Sequence, residues 1–154
     1  MSMLNRYRKQ KGGFEQLLHV VEACTPEKLE AFLKLIDGED KGWGALIRTK
    51  LLTIERIFAW EEGTVRLIVA QIPNRLLIAA FKDDGTATLE RIRNMMPKLR
   101  QDEFDLDLAG AAITQGQRES ARVMVIRKVR EWTKSGHIRL ELIDPTLVYR
   151  QDAA

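Results

Sequence analysis

At 154 residues, with 45% apolar and 31% charged side chains, the chain can fold around a core and is not an intrinsically disordered segment. A formal charge of +3 is too small for a typical nucleic-acid binder, and no run reaches the roughly 18 consecutive apolar residues of a membrane span. The single cysteine, Cys24, excludes an internal disulfide and a thiolate metal cluster, and reads as a small packing residue near a helix end.

In chain order, the start from Met1 to Gly13 lacks an apolar stretch and is no signal peptide, which gives a cytoplasmic expectation. Arg6, Arg8, Lys9 and Lys11 read as a solvated basic tail over residues 1–12. Phe14, Leu17, Leu18 and Val21 recur at helical spacing and predict a helix over 14–23. Thr25 should cap a second helix with Pro26 at its first position, an apolar face of Leu29, Phe32, Leu33 and Ile36, and Gly38 at its end. A third helix runs from about Trp43 to Leu52, and Thr53 is a cap or hinge. Ile54, Ile57 and Phe58 start a short helix that stops near Trp60. Residues 64–71 read as a helix, although a Val- and Ile-rich run also suits a strand. Pro73 opens the helix of Leu76, Leu77, Ile78, Ala80 and Phe81; Asp83-Asp84-Gly85 makes a turn; Thr86 caps the helix of Leu89, Ile92 and Met95.

The next segment, Lys98 to Leu108, has the most unusual pattern of the chain. It starts basic, turns densely acidic and carries an apolar stripe. Pro97 suits the first turn of a helix, where its missing N–H has no partner to lose. Leu99, Phe104, Leu106 and Leu108 are expected to anchor this helix, leaving Lys98, Arg100, Asp102, Glu103, Asp105 and Asp107 to water or a partner, with Gly110 closing it. Thr114 and Gln117 stand at capping-box spacing before the longest helix, about 115–133, lined by Ala121, Val125, Val129 and Trp132 with Met124 and ended by Ser135-Gly136. Residues 137–142 alternate and read as an extended tail, since a lone strand has nothing to pair with.

Catalytic and ligand signatures are missing from this pattern. Gly12-Gly13 and Gly42-Trp43-Gly44 are not followed by the Gly-Lys-Ser/Thr of a phosphate loop. His19 and His137 are remote in sequence and lie in no zinc spacing. The acids at 102, 103, 105 and 107 lack the central Gly and distal Glu of a calcium loop. No catalytic activity, cofactor or metal is expected, and a binding or mechanical role is.

The order of motifs resembles the C-terminal region of the flagellar motor switch family FliG. Gly12-Gly13-Phe14 with two following helices is similar to the family's C-terminal armadillo-like piece. Ile47-Arg48 through Glu55 resembles its Ile-Arg pair, Met-Phe-x-Phe hinge and acidic residue. Leu77-Ile78-Ala79-Ala80-Phe81-Lys82 resembles its Leu-Ala-x-Ala-Leu-Lys run, Arg93-Asn94-Met95 its Asn-Met-Ser helix start, and Arg118 to Gly136 its long final helix.

The resemblance implies an all-α fold, an armadillo-like superhelical bundle in two subdomains. It implies a basic tail at 1–12, an armadillo-like piece at 13–50, a hinge at 51–54 formed by Leu51, Leu52, Thr53 and Ile54, a six-helix torque-type subdomain at 55–148 and a tail at 149–154. It also implies that a charged helix meets a MotA-type stator protein through Lys82, Lys98, Asp102 and Asp105, with the exact placing of the acidic pair left open. The switch proteins FliM and FliG itself are the other implied partners, with a homo-oligomer as a variant; neither nucleic acid nor membrane insertion is implied. The implied place is the cytoplasmic base of the flagellum. Three departures stand out: Ile113 where the family has an Arg, a hinge without Phe or Met, and no N-terminal or middle domain. The competing reading is an all-helical adaptor or paralogue without a torque role, which would use Phe14, Leu18 and Phe32 to bind rotor proteins or itself.

Overall fold

A computed structural model describes residues 3–149. Among them every regular element is helical: α1 (Asn5–Arg8), α2 (Gly13–Glu22), α3 (Pro26–Glu39), α4 (Lys41–Lys50), α5 (Ile54–Phe58), α6 (Glu62–Gln71), α7 (Asn74–Phe81), α8 (Thr86–Asn94), α9 (Lys98–Gly110), α10 (Gln115–Ser135) and α11 (Leu140–Ile143), with single 3-10 turns at Lys82–Asp84 and Pro145–Leu147. The all-α expectation therefore holds, and the ambiguous Val/Ile run is the helix α6. No single helix is long and apolar enough to cross a bilayer.

The described residues divide into two compact units, one made of 3–53 and 139–149 and the other of 54–138. This differs from the sequence expectation at both ends of the chain. The basic tail contains α1, and Leu4 is fully buried. The Glu39 carboxylate accepts the backbone N–H groups of Met3 and Leu4 at 2.7 and 2.9 Å. Arg8 pairs with Asp40 and lies over the Trp43 ring. Residues 139–149, expected to extend the second subdomain, belong with the first unit: Leu147 is fully buried, and Lys50 Nζ donates to the Thr146 carbonyl at 2.6 Å. The anticipated extended stretch at 137–142 becomes α11 from Leu140 onward.

In the first unit, Leu4, Phe14, Leu17, Leu18, Val21 and Ile36 are among the residues of one apolar cluster. Phe14 meets Trp43 and Tyr149 edge-on, each at 5.7 Å between centroids. Phe14 and Leu18 are thus core residues rather than a docking face, and Phe32 packs half-buried against the same cluster. Gly12 has a conformational reason and Gly13 a packing one. Gly12 is left-handed at φ +73°, and a Cβ on Gly13 would stand 1.6 Å from the Tyr7 carbonyl oxygen. Gly38 does not end α3; the break comes at Asp40, which is extended and whose carboxylate accepts Trp43 N–H at 3.1 Å to cap α4. Thr25 precedes Pro26 at the start of α3, but its hydroxyl makes no cap bond.

After α4 the chain is extended over 51–53, with Leu51 and Leu52 buried. Leu52 N–H donates to the buried Glu22 carboxylate at 2.7 Å. Substituting Glu22→Ala removes that acceptor, and an unsatisfied buried N–H costs about 1–3 kcal/mol. Chemical denaturation should show a loss of that size, and amide exchange at Leu52 should quicken.

In the second unit α7 packs on α10 and α9, α8 on α9, and α5 on α10. Phe58 and Phe81 meet edge-on at 5.0 Å. Asp84 accepts Arg118 Nη2 at 2.6 Å and Arg122 Nη1 at 2.8 Å, joining the turn after α7 to α10. Burial raises the Asp84 pKa, but the two guanidinium hydrogen bonds and charges outweigh it and hold the carboxyl below its ordinary value. Thr114 and Gln117 form the anticipated capping box at the start of α10, and left-handed Gly136 (φ +84°) ends it. Pro73 and Pro97 are N-caps of α7 and α9 rather than residues of the first turn, and Gly85 instead of Thr86 caps α8.

Candidate functional site

Helix α9 presents one narrow buried stripe. Phe104 is 1% exposed, and Leu108, Gln101 and Arg100 are half-buried on the same side. Leu99 and Leu106, expected to anchor the helix, are 74% and 76% exposed. They lie two turns apart on the face opposite Phe104, so at 3.6 residues per turn they cannot share its stripe.

Arg100, expected to face water or a partner, takes over the anchoring. Its Nε donates to Asn74 Oδ1 and its Nη1 to the Val69 carbonyl, both at 2.9 Å, while Nη2 reaches the Ile72 carbonyl. Burial lowers the Arg100 pKa from its usual value, and nearby Glu103 opposes that shift. The sequence did carry a signal for this: Arg100 lies four residues before Phe104, on the inward side of a helix. On the opposite flank Arg93 of α8 clasps Asp105, Nε at 2.9 and 3.1 Å and Nη2 at 3.0 Å from the carboxylate oxygens. The hydrogen bonds to Asp105 raise the Arg93 pKa.

Of the four expected contact residues, three lie on exposed parts of this helix. Lys98 and Asp102 pair with each other along the helix at 3.1 Å, with side chains 77% and 56% exposed. Asp105 is exposed but engaged by Arg93. Lys82 is not on the ridge: it is half-buried and its ammonium donates to the carbonyl of Ala111, the residue that ends α9. There its positive charge complements the negative end of the helix dipole. Ile113, at the family's Arg position, is half-buried.

The ridge is therefore a rigid strip with Leu99 and Leu106 along its crest and ionised groups beside them. It holds no nucleophile–base pair, and among the described residues no group of three or more His, Cys, Asp or Glu could hold a metal ion. Such a surface is suited to transient contact with another macromolecule, because exposed ion pairs are each worth about 0–1 kcal/mol and exchange readily. Of the expected hinge residues, Leu51, Leu52 and Thr53 close the first unit and Ile54 opens the second, with only Thr53 half-exposed.

An all-helical chain with an armoured charged helix is of the class of helical interaction modules. Residues 34–140 match the family model for the FliG C-terminal domain, and the chain belongs to that family, whose members are components of the flagellar motor switch. Among solved structures it is similar to the crystal structure of FliG residues 116–343 from H. pylori, with a TM-score of 0.55 and 18% identity. The similarity covers 84% of this chain but 58% of that one, and at this identity it speaks for the fold alone. Comparison with curated proteins gives no match.

Proposed function

We propose that the chain acts as a rotor module of the flagellar switch, meeting a MotA-type stator protein through the outward face of α9. The observation that carries this reading is the fixation of α9. Phe104, Arg100 and the Arg93–Asp105 clasp hold the helix while Lys98 and Asp102 remain in solvent. Fixed charges steer a partner's approach and release it without a large desolvation barrier. The segment from Leu51 to Ile54, the extended residues 51–53 and the first residue of α5, would serve as the hinge between the two units, and other switch proteins of the FliM and FliG type would hold the module at the cytoplasmic base of the flagellum.

The cleanest variant is Lys98→Glu, which reverses a largely exposed charge of the ridge without touching an anchor. Stability should change by less than about 0.5 kcal/mol. In a strain whose only such copy is this chain, swimming speed should fall severalfold. Unchanged swimming with the variant protein present at normal level would overturn the stator reading.

A further inference from the structure

A second surface lies between α7 and α10, an open groove of about 820 Å³. Small residues line both walls, Ala79 on α7 and Gly116, Ser120 and Ala121 on α10. Leu76, Ile113 and Met124 add larger apolar sides, and Met124 is 47% exposed. Small side chains between larger apolar ones leave a furrow of the kind into which the side-chain ridge of a further helix packs. From Gly116 to Lys128 the α10 wall runs about 18 Å, a little over three helical turns.

The furrow is also electrically one-sided. Arg75 and Lys128 are the charged residues of its lining, and neither has an ion-pair partner among the described residues. Arg75 borders a smaller cleft with Glu103 and Asp107, yet pairs with neither. Arg118 reaches Asp84 beyond the end of α7, and Arg122, one turn further along α10, reaches back to the Ala80 carbonyl. The two helices therefore run in opposite directions, and Arg75 falls towards the Lys128 end of the groove. Two cations at one end of an apolar trough, with no acid in the lining, call for carboxylates from outside.

We infer that the groove is a docking site for an amphipathic helix of an unlike protein, its apolar crest entering the trough and its carboxylates facing Arg75 and Lys128. Such helix-in-groove recognition uses anchors at i, i+3, i+4 and i+7. An extended segment would find no sheet edge to join, since every regular element among the described residues is helical. One helix buries less than the roughly 1,200–2,000 Å² of a standard stable interface, so the contact is reversible. The lining holds no residue of α9, so a helix seated here leaves the charged ridge uncovered for another partner. The inference does not rest on the stator reading, which is judged by swimming.

Fluorescence anisotropy with a designed peptide tests it. The probe is a labelled helix of about 14 residues, with leucines at i, i+3, i+4 and i+7 and glutamates beside them. Its twin carries lysines in place of the glutamates. The chain should bind the glutamate peptide about tenfold more tightly than the twin. Arg75→Glu combined with Lys128→Glu should reverse that order, and tight binding of the lysine twin shows at the same time that the variant is folded. Ser120→Trp, at an exposed position in the groove, should fill the furrow and weaken the glutamate peptide about tenfold. The methyl NMR signal of Met124 should move as the glutamate peptide is added. No preference between the peptides, or a preference indifferent to Arg75 and Lys128, would overturn the inference. So would a Met124 signal that follows the chain's own concentration and ignores the peptide, which would put a second copy in the groove.

Discussion

Phe104→Ala is expected to lower stability by about 3–5 kcal/mol, the usual cost of emptying a buried phenylalanine site. Phe104 is 1% exposed and is the one fully buried side chain of α9, which has no second apolar anchor of comparable depth. The same truncation at Leu99 or Leu106, both largely exposed, should move stability by less than about 0.5 kcal/mol. Thermal unfolding separates the cases, with a fall on the order of 10 °C for Phe104→Ala and almost none for the leucines. A large effect at Leu99 would mean that the helix is rotated about its axis, with a different set of charges facing outward.

The second large effect concerns Asp84. Asp84→Ala leaves the guanidinium groups of Arg118 and Arg122, 25% and 19% exposed, without their shared carboxylate. The expected loss is about 2–3 kcal/mol, below the cost for a wholly buried pair because water reaches part of the cluster. The pH dependence has a definite sign. The carboxyl is held below its ordinary value in the folded chain. Its stabilisation is therefore complete above the unfolded pKa and disappears as pH falls through the lower folded one. Urea titrations should show the wild-type chain losing stability below about pH 4, with Asp84→Asn less stable at neutral pH and losing less on acidification. Parallel curves would show that Asp84 does not titrate against these arginines.

Both effects bear on what the sequence discloses. Where the signal is local it can be read directly. The Thr114–Gln117 box, the left-handed Gly136 and the apolar period of α10 each depend on neighbours within a few residues, and helix and boundaries follow from them. The N-terminal residues mislead because their partners are distant: Leu4 is secured by Glu39, 35 residues away, so its burial leaves no trace in the residues around it. The same holds for Lys50 and Thr146, 96 residues apart, which helps explain why the final stretch belongs with the first unit.

The charged helix is the instructive mixed case. Its existence and span are visible in the pattern, and Lys98 and Asp102 are exposed as anticipated. Its rotational setting is not visible, because apolar side chains occur all round it and a count of leucines cannot say which side faces inward. Arg100 decides that setting by donating to two carbonyls and an amide of the α6–α7 junction, a role invisible to a reading that assigns every charge to solvent. The setting of Lys82 is hidden on similar grounds, its acceptor being a carbonyl 29 residues further on.

The two arginine clasps on α9 also have a mechanical consequence. A sideways push on Lys98 or Asp102 cannot simply roll the helix. Through Arg100 it pulls on the corner where α6 turns into α7, and through Arg93 it pulls on α8. The two guanidinium groups thus tie α9 to both neighbouring rods, and turning it about its axis would break contacts on either side.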